Sequence, residues 1–245
     1  MNYVLDTHTH TVSSGHAYST LREMIQAAAA KGLEAIALTD HAMALPGSCH
    51  EFHFSNYKVI PRQWEEVRLL CGVELNIMDF QGTVDMSPEL LKKMDLVIAS
   101  MHSPCLCAGT REENTAAVLG ILENPYIDIL GHPDDNRYPL DFQAVVQKAA
   151  ETGAVLEVNN SSLRPDSPRK GAAENYREML EYCRKYRVPV TVGSDAHIEF
   201  DVGRHDYAYE LFRQMDFPEE LVLNRSWKAL RSRLNRQGLR QVTFD

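Results

Sequence analysis

Histidines and carboxylates recur in this 245-residue chain where short apolar runs stop. His8 and His10 follow the run Tyr3–Thr7 at i and i+2, so an extended backbone sends both to one side. His16 lies in the loop beyond. His41 closes Leu38-Thr39-Asp40-His41, and Glu74 closes Cys71-Gly72-Val73-Glu74. His102 follows Ile98-Ala99-Ser100-Met101, and His132 follows Ile129-Leu130-Gly131. Asp195 and His197 come after Val192-Gly193-Ser194, again at i and i+2. Seven of the ten histidines therefore join two carboxylates at or just beyond predicted strand ends. Neutral imidazole with carboxylate is the donor set that borderline divalent metals accept. Nine such groups, at roughly three or four per ion, suffice for two or three ions with a carboxylate bridging. Ions of this kind acidify water and clamp attacking and leaving oxygens, so the chemistry they enable is hydrolysis.

Converging these residues is the task of the intervening elements. Strands are expected over Tyr3–Thr7, Glu34–Thr39, Leu69–Leu75, Leu96–Met101, Ile127–Gly131, Ala154–Asn159 and Pro189–Ser194. Amphipathic helices are expected over Leu21–Lys31, Glu112–Glu123, Asp141–Glu151 and Ala173–Tyr186. Glycines at Lys31-Gly32 and Thr152-Gly153 read as helix stops. Alternating β and α units imply an α/β fold with a parallel sheet, closed into a barrel or open and doubly wound. No Pro/Gly/Ser-rich linker divides the chain, which reads as one domain over residues 1–245. The irregular loops Ala42–Tyr57 and Ser161–Gly171 fall at strand C-termini, where such folds carry their chemistry.

Composition excludes several other classes. With 44% hydrophobic and 24% charged residues, the chain is neither disordered nor fibrous. Its 25 basic against 34 acidic residues give a net charge of −9, unsuited to coating nucleic acid. No apolar run approaches about 18 residues, so no membrane helix is expected. The start Met1–Asp6 lacks the pattern of a secretory leader, and five cysteines without framework spacing suggest reduced thiols in the cytoplasm.

The motifs resemble those of the polymerase-and-histidinol-phosphatase (PHP) family. The matching pieces run in order: His8-Thr9-His10-Thr11 with Ser14 and His16, Thr39-Asp40-His41, Gly72-Val73-Glu74, His102, Gly131-His132-Pro133 and Gly193-Ser194-Asp195-Ala196-His197. Within the family the chain is most similar to YcdX-type bacterial phosphatases, through His16-Ala17-Tyr18-Ser19-Thr20, Glu157-Val158-Asn159-Asn160-Ser161-Ser162 and Arg169-Lys170-Gly171. The resemblance implies a distorted seven-stranded (β/α)7 TIM-like barrel with a trinuclear centre. One ion would take His8, His10, Glu74 and Asp195. A second would take Glu74, His102 and His132, and a third His16, His41 and His197. Zinc is expected, about three ions per chain, with manganese or iron as alternatives.

Other residues have competing readings. Asp6 and Asp40 neighbour the expected ligands and could orient an imidazole, although Asp40 also suits a turn. Asn159, Asn160 and Ser161 end the one strand without a ligand and could fix substrate or simply turn the chain. Arg164, Arg169 and Lys170 form a basic loop suited to a phosphate, with Arg137 a weaker candidate. Cys105 and Cys107 lack a second pair for a thiolate site. His50 and His53 lie in the loop after the second strand, where they could line the pocket, and His205 has no assigned partner. Arg225–Arg240 carries six basic residues and no acid, with Leu230 and Leu234 at i and i+4, and reads as an amphipathic helix with a solvated basic face.

The reading that follows is a metal-dependent phosphoesterase acting on a small-molecule phosphate monoester, through a hydroxide bridging the metals. His10, Asp195 and His197 are expected at the reacting centre, and Arg169, Lys170, Asn160 and Arg164 at the substrate. Three rivals are a PHP-type exonuclease or nucleotide phosphoesterase, an amidohydrolase-type C–N or lactone hydrolase, and a metal-binding module without turnover. The net charge opposes nucleic acid. His16, His41 and Glu74 complete a third metal set that the amidohydrolase pattern does not need, and a structural site would need closed coordination.

Overall fold

A computed structural model of the chain describes residues 3–240. Met1, Asn2 and 241–245, part of the expected 1–245 unit, lie outside the described residues. The strands are β1 Leu5–Thr9, β2 Ala35–Leu38, β3 Gln63–Trp64, β4 Val67–Cys71, β5 Val73–Asn76, β6 Val97–Ser100, β7 Ile129–Leu130, β8 Val155–Asn159 and β9 Val190–Gly193. The helices are α1 Leu21–Ala30, α2 Glu51–Ser55, α3 Pro88–Leu91, α4 Arg111–Glu123, α5 Phe142–Thr152, α6 Ala172–Tyr186, α7 Asp206–Gln214 and α8 Trp227–Arg231. The four helices expected from periodicity end within one residue of their expected bounds. Local chemistry explains this. Thr20 with Glu23 and Thr110 with Glu113 form reciprocal capping boxes. Asp141 caps α5, which stops at left-handed Gly153.

The α/β architecture and parallel pairing are as expected, but the closed seven-stranded barrel is not. The strands form two sheets, ordered β1-β2-β4-β3 and β5-β6-β7-β8-β9. Only β3 runs antiparallel to its neighbour. The stretch expected as one strand over Leu69–Leu75 breaks at Gly72 into β4 and β5. There the chain steps from β2 to β6: Gly72 N donates to Leu38 O at 2.8 Å and Val73 N to Leu96 O at 3.1 Å. A Cβ at Gly72 would lie 2.5 Å from Leu96 O, so this crossing needs glycine.

Between β1 and β9 the backbone joins only at the carboxyl end, where Asp195 N donates to His8 O at 2.9 Å and His10 N to Ala196 O at 2.8 Å, and side chains bridge the rest. Asn224 donates to Leu5 O at 2.9 Å and Val192 O at 2.7 Å, and accepts from Val192 N at 2.6 Å. Thr7 Oγ1 adds a bond to Val192 O at 3.2 Å. The strands thus curve toward closure without completing a single sheet.

Alternation along the strands divides the apolar residues into two layers. Ile36, Leu69, Val97, Leu130, Leu156 and Val190 pack outward among the helices. Leu5, Ala35, Ala37, Leu70, Ile98, Ile129 and Val155 fill the interior, with Leu223, Leu230 and Leu234 beneath them.

The segment expected as a basic amphipathic helix is a correction. Only Trp227–Arg231 is helical. Buried Arg240 forks onto Asp128 at 2.6 and 2.7 Å, and Arg236 donates to Ile127 O at 3.0 Å. This basic run therefore plugs the amino ends of the strands instead of facing solvent along its length. No helix among the described residues is long and apolar enough to cross a membrane, and all five thiols are free.

Candidate metal centre

Parallel strands deliver all nine expected ligands to the carboxyl end of the sheets. His8, His10 and Glu74 are fully buried, and His41, His132 and Asp195 nearly so. Glu74 stands at the middle. Its Oε2 lies 2.7 Å from His41 Nδ1, 3.4 Å from His8 Nε2 and 3.5 Å from His10 Nε2. Its Oε1 lies 2.8 Å from His132 Nε2 and 3.3 Å from His102 Nε2. Asp195 Oδ1 is 3.2 Å from His10 Nε2 and 3.5 Å from His197 Nδ1. Three sets converge within 4.8 Å: His10, His41 and His197; His8, His10 and Glu74; and His41, Glu74 and His102. His41 thus stands between groups and also approaches Glu74, whereas the resemblance puts it only with His16 and His197.

Outer hydrogen bonds set the tautomers. His8 Nδ1 donates to Glu157 Oε1 at 2.7 Å. His10 Nδ1 donates to Ser14 Oγ at 3.1 Å, because the Ser14 hydroxyl proton goes to Asp40 Oδ1 at 2.7 Å. The Nε2 atoms of His8 and His10 then face each other at 3.0 Å. His16 Nδ1 donates to Ser14 O and His197 Nδ1 to Asp195 O, so their Nε2 atoms also meet, at 3.0 Å. His102 Nδ1 donates to Asn76 Oδ1 at 2.7 Å, leaving Nε2 toward Glu74. His8 and His10 are buried, so a proton or a metal ion must lie between their facing nitrogens, whereas exposed His16 and half-buried His197 meet at the solvent edge of the cluster. The orphaned buried atoms His41 Nδ1, Glu74 Oε2 and His102 Nε2 belong to this same cluster. The residues therefore fit metal ions in donor type and in aim.

Protonation agrees. Burial, with the Arg169 charge, pushes His132 down to about 4. Burial and the neighbouring histidines push His10 well below the usual imidazole range and lower His16. His8 is the exception: burial opposes its charge, but Glu157, Glu74 and Asp195 overcome it and raise it, so without an ion its Nε2 keeps a proton toward His10 that a bound ion would displace. Burial also opposes ionisation of Glu74 and Asp195, yet His8 and its neighbours hold both carboxyls well below their ordinary range. Two of these residues carry backbone strain, with left-handed φ of 25° at His132 and 53° at Asp195.

A cavity of about 410 Å³ opens over the cluster. Leu45, Pro46, Met101 and Pro104 form its apolar side, and Asp135, Arg137 and Arg169 its charged side. Arg169 reaches Asp195 Oδ2 at 3.2 Å and Ser162 Oγ at 3.0 Å. The structure does not bring the other expected substrate residues here. Lys170 Nζ donates to Ser167 O at 2.9 Å, and Arg164 pairs with Asp166 and Asp201. The Asn160 carboxamide caps α7 through Tyr207 N and Ala208 N. Asn159 is bound to Asp195 Oδ2 and Glu157 Oε2, and Ser161 opens a short 3-10 turn. Arg137, read as the weaker candidate, lines the cavity while forked onto Asp135 at 2.5 and 2.8 Å.

Asp6 and Asp40 do not hold a ligand imidazole directly. Asp40 acts through Ser14, and Asp6 accepts Ser194 N at 3.0 Å and Gly203 N at 2.7 Å. His50 caps α2, His53 faces Asp40 at 3.4 Å, and His205 faces Asp6 at 3.7 Å. Cys105 and Cys107 join none of the ligand sets. Sequence reasoning missed the roles of Glu157 and Asn76. Their signal was a polar residue inside an apolar run, as in Val155-Leu156-Glu157-Val158.

Known proteins share these features. The PHP domain profile matches residues 6–161, and a PHP-associated profile matches residues 174–222. A Clostridium novyi protein named probable phosphatase is 42% identical over the full length of both chains. Another protein so named, from Acetivibrio thermocellus, is 47% identical over 92% of each chain. A similar fold occurs in a histidinol phosphate phosphatase from Lactococcus lactis solved with zinc, L-histidinol and phosphate. It has a TM-score of 0.60 at 20% identity, covering 88% of this chain and 95% of that one. With a family profile spanning most of the chain and relatives above 40% identity along it, this protein is a member of the PHP family.

Proposed function

We propose that this protein is a metal-dependent phosphatase that hydrolyses a small phosphate monoester at a centre of about three zinc ions. The observation that carries the reading is the convergence of imidazole nitrogens on Glu74 and Asp195, with three donor sets each lying within 4.8 Å. The names of the relatives support phosphatase chemistry, and the Lactococcus enzyme supports zinc and a phosphorylated small molecule. Buried charge supports several ions: Asp6, Asp40, Glu74, Glu157 and Asp195 are buried here, while Arg169, which pairs with Asp195 at 3.2 Å, is only partly buried. His8, His10, Glu74 and Asp195 would hold one ion, Glu74, His102 and His132 a second, and His16, His41 and His197 a third.

Bound ions would lower the pKa of water and offset the charge of a phosphoryl group. His10, Asp195 and His197 meet beside the cavity and would orient the reacting groups. The Arg169 guanidinium, fixed by Asp195 and Ser162, presents its remaining N–H donors to a phosphate. The organic part of the ester would lie against Leu45, Pro46, Met101 and Pro104, in a space suited to a compact alcohol. The two matched segments act as one unit, since β8 pairs with β9 and Asn160 beyond β8 caps α7. The unpaired thiols fit a cytoplasmic setting.

The test is elemental analysis of protein purified without added metal, with p-nitrophenyl phosphate turnover on the same sample. About three ions per chain, with turnover lost in His10→Ala, is the expected result. Three ions without any phosphate-ester turnover would overturn the phosphatase reading. One ion or none in folded, reloaded protein would overturn the trinuclear centre.

A further inference from the structure

We propose that Glu157 is a positioning residue that aims two ligands of different ions, His8 and His132, while ligating neither. The inference rests on the metal-centre reading above. Glu157 stands in β8, whose residues supply none of the nine ligands, and it is fully buried. Its Oε1 accepts from His8 Nδ1 at 2.7 Å. Its Oε2 accepts from His132 N at 2.8 Å and from Asn159 Nδ2 at 3.3 Å. Protein donors thus occupy both oxygens and hold them away from the shared cluster.

Placing a carboxylate here is costly. Burial of an ionised group without a full counter-ion costs several kcal/mol, and its neighbours Val155, Leu156 and Val158 show that an apolar side chain suits the strand. The adjacent strand also makes room. A Cβ on Gly193 would fall 2.1 Å from Glu157 Oε1 and 2.5 Å from His8 Cβ. Two alignments follow from this placement. The Nδ1–H of His8 is committed to Glu157, so Nε2 is the ring nitrogen turned toward His10, Glu74 and Asp195. The backbone N–H of His132 is held where φ is 25°, a strained turn that brings Nε2 within 2.8 Å of Glu74 Oε1. A carboxylate behind a ligating imidazole fixes the ring and strengthens it as a donor.

Glutamine tests this arrangement, because it keeps the reach but has one acceptor oxygen. Its amide N–H₂ must face either His8 Nδ1–H or the two donors from His132 and Asn159. Aspartate keeps the charge but is one methylene too short to span both sides. The experiment measures ions per chain by elemental analysis along a chelator titration, for the wild type, Glu157→Gln and Glu157→Asp, with circular dichroism on each metal-free sample.

Glu157→Gln is expected to lose at least one ion per chain and to release metal at about 10–100-fold lower chelator, at unchanged secondary structure. Glu157→Asp should fall between the two. A Gln variant that folds only with excess zinc supports the inference as well. A Gln variant with wild-type ion number and chelator midpoint would overturn it, and so would one that stays unfolded with zinc present. Wild-type protein holding no ion would instead defeat the metal-centre reading, and the inference with it.

Discussion

The two ends of the strands bury charge in opposite ways. At the amino ends donors meet acceptors: Arg240 forks onto both oxygens of Asp128, which also accepts Val97 N at 3.0 Å and Asn235 N at 3.1 Å. At the carboxyl ends ring nitrogens crowd one another around two carboxylates, as in the Nε2 contacts of buried His8 with His10 and, at the solvent edge, of His16 with His197. Nearby, Arg62 at Asp95 repeats the satisfied pattern, whereas Glu74 Oε2 at the other end has no donor. A network whose members are all paired contributes to stability. One that pairs like with like is tolerable only if something outside the chain completes it. The contrast separates a part of the molecule that serves the fold from a part that serves a ligand.

Several changes would break or sharpen that contrast. The largest expected effect is on catalysis: His10→Ala should lower phosphate-ester turnover by about 10³-fold, the scale of losing an electrostatic stabiliser. Its metal-free Tm should change little, because relief of the crowding between the His8 and His10 nitrogens offsets the lost bond to Ser14. A clear fall in that Tm would refute the claim that this end is frustrated without its ions.

Arg240→Ala should do the reverse. Removing one partner of a buried pair leaves Asp128 uncompensated at a cost of about 3–5 kcal/mol, or roughly 10 °C in Tm for a chain of this size. Turnover of the protein that remains folded should be unchanged. A variant with wild-type Tm would show that the plug at the amino ends contributes little.

Stripping the metal should lower wild-type stability, and Tm with it, by an amount set by affinity, about 4 kcal/mol at a thousandfold excess over Kd. Arg240→Ala should keep that shift, and His10→Ala should lose most of it. Scanning calorimetry with and without chelator decides between additive and coupled ends.

The smallest effect is expected at the cavity wall. Arg169→Lys should weaken turnover about 10–100-fold, because an ammonium cannot hold Asp195 and Ser162 and still present a planar fork to phosphate. Steady-state kinetics would show it as a raised KM with a smaller fall in kcat. An unchanged KM would remove Arg169 from the substrate.

Much of the fold was legible because local rules determine it. Capping boxes at Thr20 and Thr110 start helices wherever they occur, and apolar runs closing on histidine mark strands and their functional ends together. Gly72 was not legible as a break, because the pattern Leu69–Leu75 stays apolar through the crossing and only the carbonyls of Leu38 and Leu96 require it. Asn224 was equally silent, since its role depends on two strands that pair only at their carboxyl ends. In the site, the candidate ligands could be read as types and positions. Lys170, Arg164 and Asn160 could not be told from Arg169, because a basic or polar loop residue shows no preference in sequence between a neighbouring carbonyl, a carboxylate and a cavity.

By itself, then, the sequence determined which side chains would gather and at which end of a parallel sheet, since strand periodicity and chain order require it. Tertiary structure alone decided which nitrogen of each imidazole faces inward. That choice follows from the partner of the other nitrogen, and for His8 that partner, Glu157, is 149 residues away in the chain. It also decided the fate of the basic C-terminal run, because a guanidinium is hydrated or buried according to whether an unpaired carboxylate such as Asp128 lies within its reach.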